Sequence, residues 1–415
     1  MRESLAPLRI RPFRFLLAGR AVNTLGNSFA PVALAFAVLD LTGSATDLGL
    51  VVGARMLVNV LFLLFGGALA DRLPKNLLMV GSSIVAAVVQ GVVAALVLTG
   101  TATIPLLIAL SALNGMAGAL ALPASSSIVP QLVPPDLRQQ ANALGRLLFN
   151  GAAVTGAPVA GVVVAVFGPG WGIAVDAFAF LLAAVCFALV RIPATVVAGQ
   201  RSSIFLDLRE GWSAFISRTW LWVVVAGFCV LNATWSGALF VLGPVIADDT
   251  IGRQSWGFVL AAETVGMIIG AIVAMRVRLR RLLFFGVVCS AGMALPILTL
   301  GIHPHLGVLL MSSFAAGVAV EQFGIAWETT MQEHVPADKL ARVYSYDMVG
   351  SFLAIPVGQV AVGPVSDVAG IQRTMIGASV LMLLTVVAMA CSRDVRHLVH
   401  KLARTSPAPV EQSAP

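Results

Sequence analysis

Long apolar stretches separated by brief polar turns run the length of the chain. Measured against the roughly 20 residues a helix needs to cross a bilayer, they predict twelve spans. The first six lie near 13–40, 48–70, 77–99, 104–128, 141–167 and 171–191. The second six lie near 219–246, 254–275, 282–302, 306–330, 342–366 and 371–391. Pro31, Pro123, Pro158, Pro244 and Pro356 interrupt five of these stretches, which predicts local kinks. The expected fold class is an all-α membrane protein with twelve transmembrane helices.

Composition supports that reading. Hydrophobic residues make up 59% of the chain and charged residues 11%, where a soluble domain runs near a quarter charged. So little charge could not solvate the surface of a water-soluble fold of this length. The 39 glycines and 21 prolines are also at home in membrane bundles, where small residues let backbones approach. Cys186, Cys229, Cys289 and Cys391 fall inside apolar runs without metal-site spacing, and are expected to be small packing residues. No metal and no cofactor are expected.

The net charge of +7 is distributed on one side. Even-numbered connections carry Arg72 and Lys75, Arg138, then Arg191, Arg201, Arg209 and Arg218, then the cluster of Arg276, Arg278, Arg280 and Arg281, then Lys339 and Arg342. The N-terminal segment adds Arg2, Arg9, Arg11 and Arg14, and the tail Arg393, Arg396, Lys401 and Arg404. The alternate connections hold only Arg253 and Arg373. This bias places both termini in the cytoplasm and requires an even number of spans. The basic excess is expected to face anionic lipid headgroups rather than nucleic acid. The first span is too long for a signal-peptide core and lacks a small-x-small cleavage site, so it is expected to be retained.

The two halves repeat. Val133-Pro134-Pro135-Asp136 precedes the fifth span and Val335-Pro336-Ala337-Asp338 the eleventh, 202 positions later (336 − 134). At the same offset Gly115 meets Gly317, Gly156 meets Gly358 and Gly161 meets Gly363. A duplicated six-helix unit with an even span count puts a pseudo-twofold axis along the membrane normal and a cleft between the halves. The expected organisation is a half at 1–191, a cytoplasmic linker at 192–218, a second half at 219–395 and a partly disordered tail at 396–415. Within the linker, Phe205-Leu206-Asp207-Leu208-Arg209-Glu210-Gly211-Trp212 has the pattern of an interfacial helix.

At this point the sequence resembles the major facilitator superfamily over nearly all of residues 10–395. Gly67-Ala68-Leu69-Ala70-Asp71-Arg72-Leu73-Pro74-Lys75 is similar to that family's cytoplasmic signature, although Leu73-Pro74 and Asn76 depart from its usual continuation. Gly151, Gly156, Pro158 and Gly161 resemble the family's exporter motif, with Ala157 standing where Gly is usual. Asp207-Leu208-Arg209-Glu210-Gly211 resembles the middle loop of the subgroup containing enterobactin exporters and macrolide-efflux proteins. The resemblance implies that Gly67, Asp71, Arg72 and Lys75 form a conformational switch against the eleventh helix. Asp347, about six residues inside that helix and unpaired on its own face, is the expected partner of Arg72.

Ionisable groups at bilayer depth are costly and mark either structural pairs or transport machinery. Arg55, Glu263 and Glu321 are the deepest. Arg55 paired with either glutamate would tie the halves together; a desolvated Glu263 or Glu321 would instead bind and release protons. On the first span Arg20, Asn23 and Asn27 share a face. The resemblance places them with Asn114, Asn232, Trp235, Gln322, Glu328 and Glu321 around a central cavity. That mostly amide, aromatic and acidic lining fits a bulky amphipathic compound, a cation or a neutral siderophore; interhelical hydrogen bonding is the competing account of any single amide. Asp176 reads as a helix-end anchor.

The expected function is secondary active export of a small amphipathic molecule (drug, antibiotic or siderophore-like) by alternating access with proton antiport. An importer or facilitator is the alternative, and a non-transporting sensor or scaffold a remote one. No constellation of catalytic residues is present. Expected partners are the substrate, protons and membrane lipids, with the protein acting as a monomer in the cell membrane.

Overall fold

The computed structural model of the protein describes residues 6–70, 75–126, 128–134, 137–190, 212–213, 215–274 and 279–399. Asp71, Arg72, most of the 192–218 linker and the tail after 399 lie outside these. The described backbone is helical, without strands. Its principal helices are α1 (Arg11–Thr42), α2 (Ala45–Ala70), α3 (Lys75–Leu98), α4 (Ile104–Ser126), α5 (Arg138–Phe167) and α6 (Pro169–Ala188), then α7 (Thr219–Asp249), α8 (Arg253–Ala274), α9 (Leu282–Ile302), α10 (Leu306–His334), α11 (Ala337–Phe352 and Ile355–Ala369) and α12 (Ile371–Cys391). Ten are long and apolar enough to cross a membrane, and α4 and α5 contain shorter apolar stretches, Ile104–Leu120 and Gly151–Phe167. All twelve coincide with the twelve predicted spans, although α10 runs to His334 and α11 starts earlier, at Ala337.

Proline explains most of the irregularities. A proline removes one backbone donor and its ring crowds the carbonyl four residues back. Helix α1 breaks at Ser28 and Phe29 ahead of Pro31, and α7 takes a π turn over Ala238–Leu242 ahead of Pro244. Helix α11 breaks at Leu353 and Ala354 ahead of Pro356. Two expected kinks differ: α4 and α5 remain helical through Pro123 and Pro158. A 3₁₀ turn over Ser290–Met293 in α9, before Pro296, was not anticipated.

Within the halves the most extensive packing joins α2 to α4 and α8 to α10; between them it joins α5 to α8 and α2 to α11. Glycines set these approaches, and they come in symmetric pairs. Gly49 of α2 seats against the carbonyl of Gln359 in α11, and Gly257 of α8 seats against that of Ala157 in α5. Gly363 meets Thr46, and Gly161 meets Gln254. The α5/α11 members are offset by 202 (359 − 157), the α2/α8 members by 208 (257 − 49). The second half is thus six residues shorter (208 − 202) between α8 and α10. Every one of these contacts lies toward the end of the bundle opposite the chain termini, hereafter the far end. Arg253 at the start of α8 reinforces it. It donates to Asp248 (Nε to Oδ1, 2.7 Å; Nη2 to Oδ2, 2.9 Å) and, across the halves, to Asp40 (Nη1 to Oδ2, 2.9 Å), with its guanidinium 4.8 Å from the Phe36 ring centre. Asp40 and Asp248 are themselves related by the 208 offset (248 − 40).

Candidate functional site

A cavity of about 860 Å³ lies in the first half, lined by residues of α1 to α6. Its walls run from mid-depth toward the end that carries the termini: Phe13 to Ser28 on α1, Arg55 and Asn59 on α2, Asn114 to Gly118 on α4. Helix α1 supplies Arg20, Asn23 and Asn27 at i, i+3 and i+7, one turn above another on a single face. Asn27 Nδ2 donates to the Asn23 carbonyl (3.1 Å) and to Asn23 Oδ1 (2.5 Å), so that pair orders itself. On α2, Asn59 Nδ2 donates to the Gly115 carbonyl of α4 (3.0 Å). Asn114, beside it, is buried, and its Nδ2 has no hydrogen-bond partner among the described residues. Phe149, Phe180 and Phe187 complete the apolar part of the wall.

Arg55 forms neither a hydrogen bond nor an ion pair among the described residues. An arginine at bilayer depth costs at least about 2.5–3.5 kcal/mol on insertion scales, and a water-filled or ligand-filled cavity offsets that cost. Asp176 of α6 lies behind it. That carboxyl is completely buried, accepts a hydrogen bond from Gln90 Nε2 of α3 (2.5 Å), and leaves Oδ1 next to Gly26 without a donor among the described residues. Arg55 and Asp176 act on each other through their charges at longer range than a contact pair. Asp176 is therefore an interior group and not the expected helix-end anchor.

The second half is filled where the first is hollow. At the 208 offset Arg20, Asn23 and Asn27 correspond to Phe228, Leu231 and Trp235. Phe228 stacks on Phe323 at 3.8 Å between ring centres, Phe323 on Trp327 at 5.9 Å, and Trp220 meets Trp327 edge-on. Asn114 corresponds at 202 to the buried Ala316.

The sequence matches the Major Facilitator Superfamily over residues 16–359. The chain belongs to that family. The chain is similar to the multidrug efflux pump Tap of Mycolicibacterium fortuitum, with 25% identity across 91% of this chain and 93% of Tap. It is also similar to macrolide efflux protein A of Streptococcus pyogenes, with 22% identity across 93% and 97%. Its fold superposes on a bacterial homologue of the human lysosomal transporter Spinster at a TM-score of 0.74 and 14% identity, covering 93% of this chain and 96% of that one.

The cavity gathers Arg20, Asn23, Asn27, Asn114 and Arg55, and adds Asn59, Ser82 and Ser83, which the sequence did not single out. The candidates from the second half do not line it. Asn232 Nδ2 donates to the Ser351 carbonyl (3.0 Å), beside the break in α11, and Gln322 Nε2 donates to the Gly270 carbonyl (2.6 Å), tying α10 to α8. Trp235 is buried in the core, while Glu328 is exposed and accepts from Gln332. Glu321 packs against Gly270. Glu263 is half-buried on α8 and accepts no hydrogen bond among the described residues.

Of the switch motif, Asp71 and Arg72 lie outside the described residues, as do the side chain of Lys75 and the surroundings of Gly67. Asp347, expected to be unpaired on its own face, accepts from Ser351 Oγ one turn along the same helix (Oδ1, 3.2 Å) and from Trp327 Nε1 (Oδ2, 3.0 Å), and its expected partner Arg72 lies outside the described residues. Asn76, which departs from the family signature, ties α3 to the end of α6 by donating to the Val190 carbonyl (2.9 Å). In the exporter-like motif Gly156 seats on Ser28 of α1, Pro158 and Gly161 border α8, and Gly151 is exposed. Trp212 at the end of the linker packs on Tyr346 of α11, 5.4 Å between ring centres.

Proposed function

We propose that this transporter exports a small amphipathic molecule from the cytoplasm by alternating access, exchanging it for protons. One observation carries the reading: the cavity lies toward the end bearing the termini, while symmetric glycine contacts and Arg253 join the halves at the far end. The closure of the far end is the geometry of one state of a rocking bundle, while the cavity itself is lined by the first half alone and not by the expected cleft between the halves. The Lys/Arg asymmetry supports assigning the termini, and so the cavity, to the cytoplasmic side. A cytoplasm-facing cavity is where an exporter takes up its cargo, and relatives named as efflux pumps support that direction. Proton exchange is assigned to Glu263, a carboxylate at membrane depth without a hydrogen-bond donor among the described residues.

A growth-inhibition panel comparing cells with and without the gene identifies a compound to which the gene gives resistance. Everted vesicles carrying the protein then accumulate that compound above equilibrium when an inward-acid pH gradient is imposed. Equilibration without accumulation identifies a facilitator, and depletion of the vesicle interior an importer.

A further inference from the structure

We propose that the cavity is selective for amphipathic organic anions, with Arg55 and Asn114 receiving the anionic head and the phenylalanine wall receiving the apolar body. The inference rests on reading this cavity as the substrate site and deepens that reading by naming the class of ligand.

Three observations lead to it. Among the described residues lining the cavity none is acidic, while Arg20 and Arg55 are both present. The acids expected there, Glu321 and Glu328, lie elsewhere, and the buried carboxyl of Asp176 stands behind the wall. Second, two donor groups at the cavity are left over. A guanidinium has five N–H groups and no acceptor, and Arg55 spends none of them on a described neighbour. Asn114 Nδ2, on the neighbouring helix α4, is buried without a partner among the described residues. Carboxylate, sulfonate and phosphate groups satisfy such donors with charge-assisted hydrogen bonds, and guanidinium geometry suits them. A cation would leave these donors unmet and face like charge. Third, the equivalent positions of the second half carry Phe228, Leu231, Trp235, Ala316 and Glu263. The polar, cationic lining therefore belongs to one half, and is not a requirement of the repeated fold.

The test uses three probes that share one aromatic body: 1-naphthaleneacetate, 2-(1-naphthyl)ethanol and (1-naphthylmethyl)trimethylammonium. Their binding to the full chain is measured by calorimetry in phosphatidylcholine nanodiscs. The acetate is expected to bind at least tenfold more tightly than the ammonium. Arg55→Gln should lower acetate affinity at least tenfold and leave the alcohol within twofold, which also reports that the variant is folded. Asn114→Asp should weaken acetate binding at least tenfold. Equal or tighter binding of the ammonium by the native chain overturns the proposal, as does an Arg55→Gln protein with native selectivity or no binding of any probe.

Replacing part of the phosphatidylcholine by phosphatidylglycerol should leave acetate binding unchanged. Its loss would assign the site to a lipid headgroup and overturn the proposal. Selectivity is read without transport, so failed transport with intact anion preference counts against export alone. Transport without that preference counts against the anion alone.

Discussion

Arg55 and Glu263 occupy matching places in the two halves of the protein. Each presents its backbone carbonyl to a glycine two helices further on, Gly115 for Arg55 and Gly317 for Glu263. The repeated backbone thus holds a cation at one position and an anion at its mate. One lines the cavity, and the other lies outside it.

That close approach makes the glycines structural. A methyl at Gly317 or Gly115 would overlap the facing carbonyl, and overpacking of this kind costs about 1–3 kcal/mol. Gly317→Ala and Gly115→Ala should each lower the unfolding midpoint of the purified protein. Gly81→Ala, in open space on α3, should not. An unchanged midpoint for Gly317→Ala would show that the helices part more readily than the packing implies.

The Gln90 to Asp176 hydrogen bond is buried and crosses from α3 to α6. Removing Asp176 leaves the Gln90 amide without its partner, at about 1–3 kcal/mol. Asp176→Ala and Gln90→Ala should each destabilise, and the double variant by less than their sum. Full additivity in the melting data would mean the two groups are energetically independent.

Arg253 clasps the far end through partly exposed carboxylates, worth roughly 0.2–1 kcal/mol a pair. Only the Asp40 pair crosses the halves, so losing it should raise the open fraction at that end about 1.4- to 5-fold. The readout is labelling of Thr46→Cys, in a chain stripped of its four cysteines, by an impermeant thiol reagent from the far side. Arg253→Gln should accelerate that labelling. Equal rates in both backgrounds would remove Arg253 from the closure.

For Glu263→Gln the expectation is loss of gradient-driven transport with substrate exchange largely preserved. Gradient-driven transport at native rate would take Glu263 out of the coupling.

The sequence made the helices legible because a bilayer span needs a long apolar run, which ten of the twelve have and α4 and α5 approach among the described residues. The repeat was legible at Gly156 and Gly358 because the same helix contact demands glycine in both halves. The 208 register escaped notice: a search at one offset cannot see past a six-residue difference in length. The relation of Asp40 to Asp248 becomes visible only at the second offset. Asp176 was misread because it lies only seven residues after Pro169, yet neighbouring helices enclose it completely. The cavity's character was misjudged for a similar reason. Helical faces show which polar residues lie together, but not that aromatic side chains fill the second half where the first is hollow.

Alternating access is tested most directly by the distances across the two ends of the bundle in the same molecules. Spin labels at Thr42 and Thr250 report the far end, and labels at Pro134 and Pro336 report the end bearing the termini. Pulsed electron–electron resonance across pH, with Arg253→Gln beside the native sequence, should show the two distances changing in opposite senses. The native chain should hold the far end short, and Arg253→Gln should lengthen it while shortening the other. Distances that lengthen together, or one end that moves while the other stays fixed, would contradict alternating access.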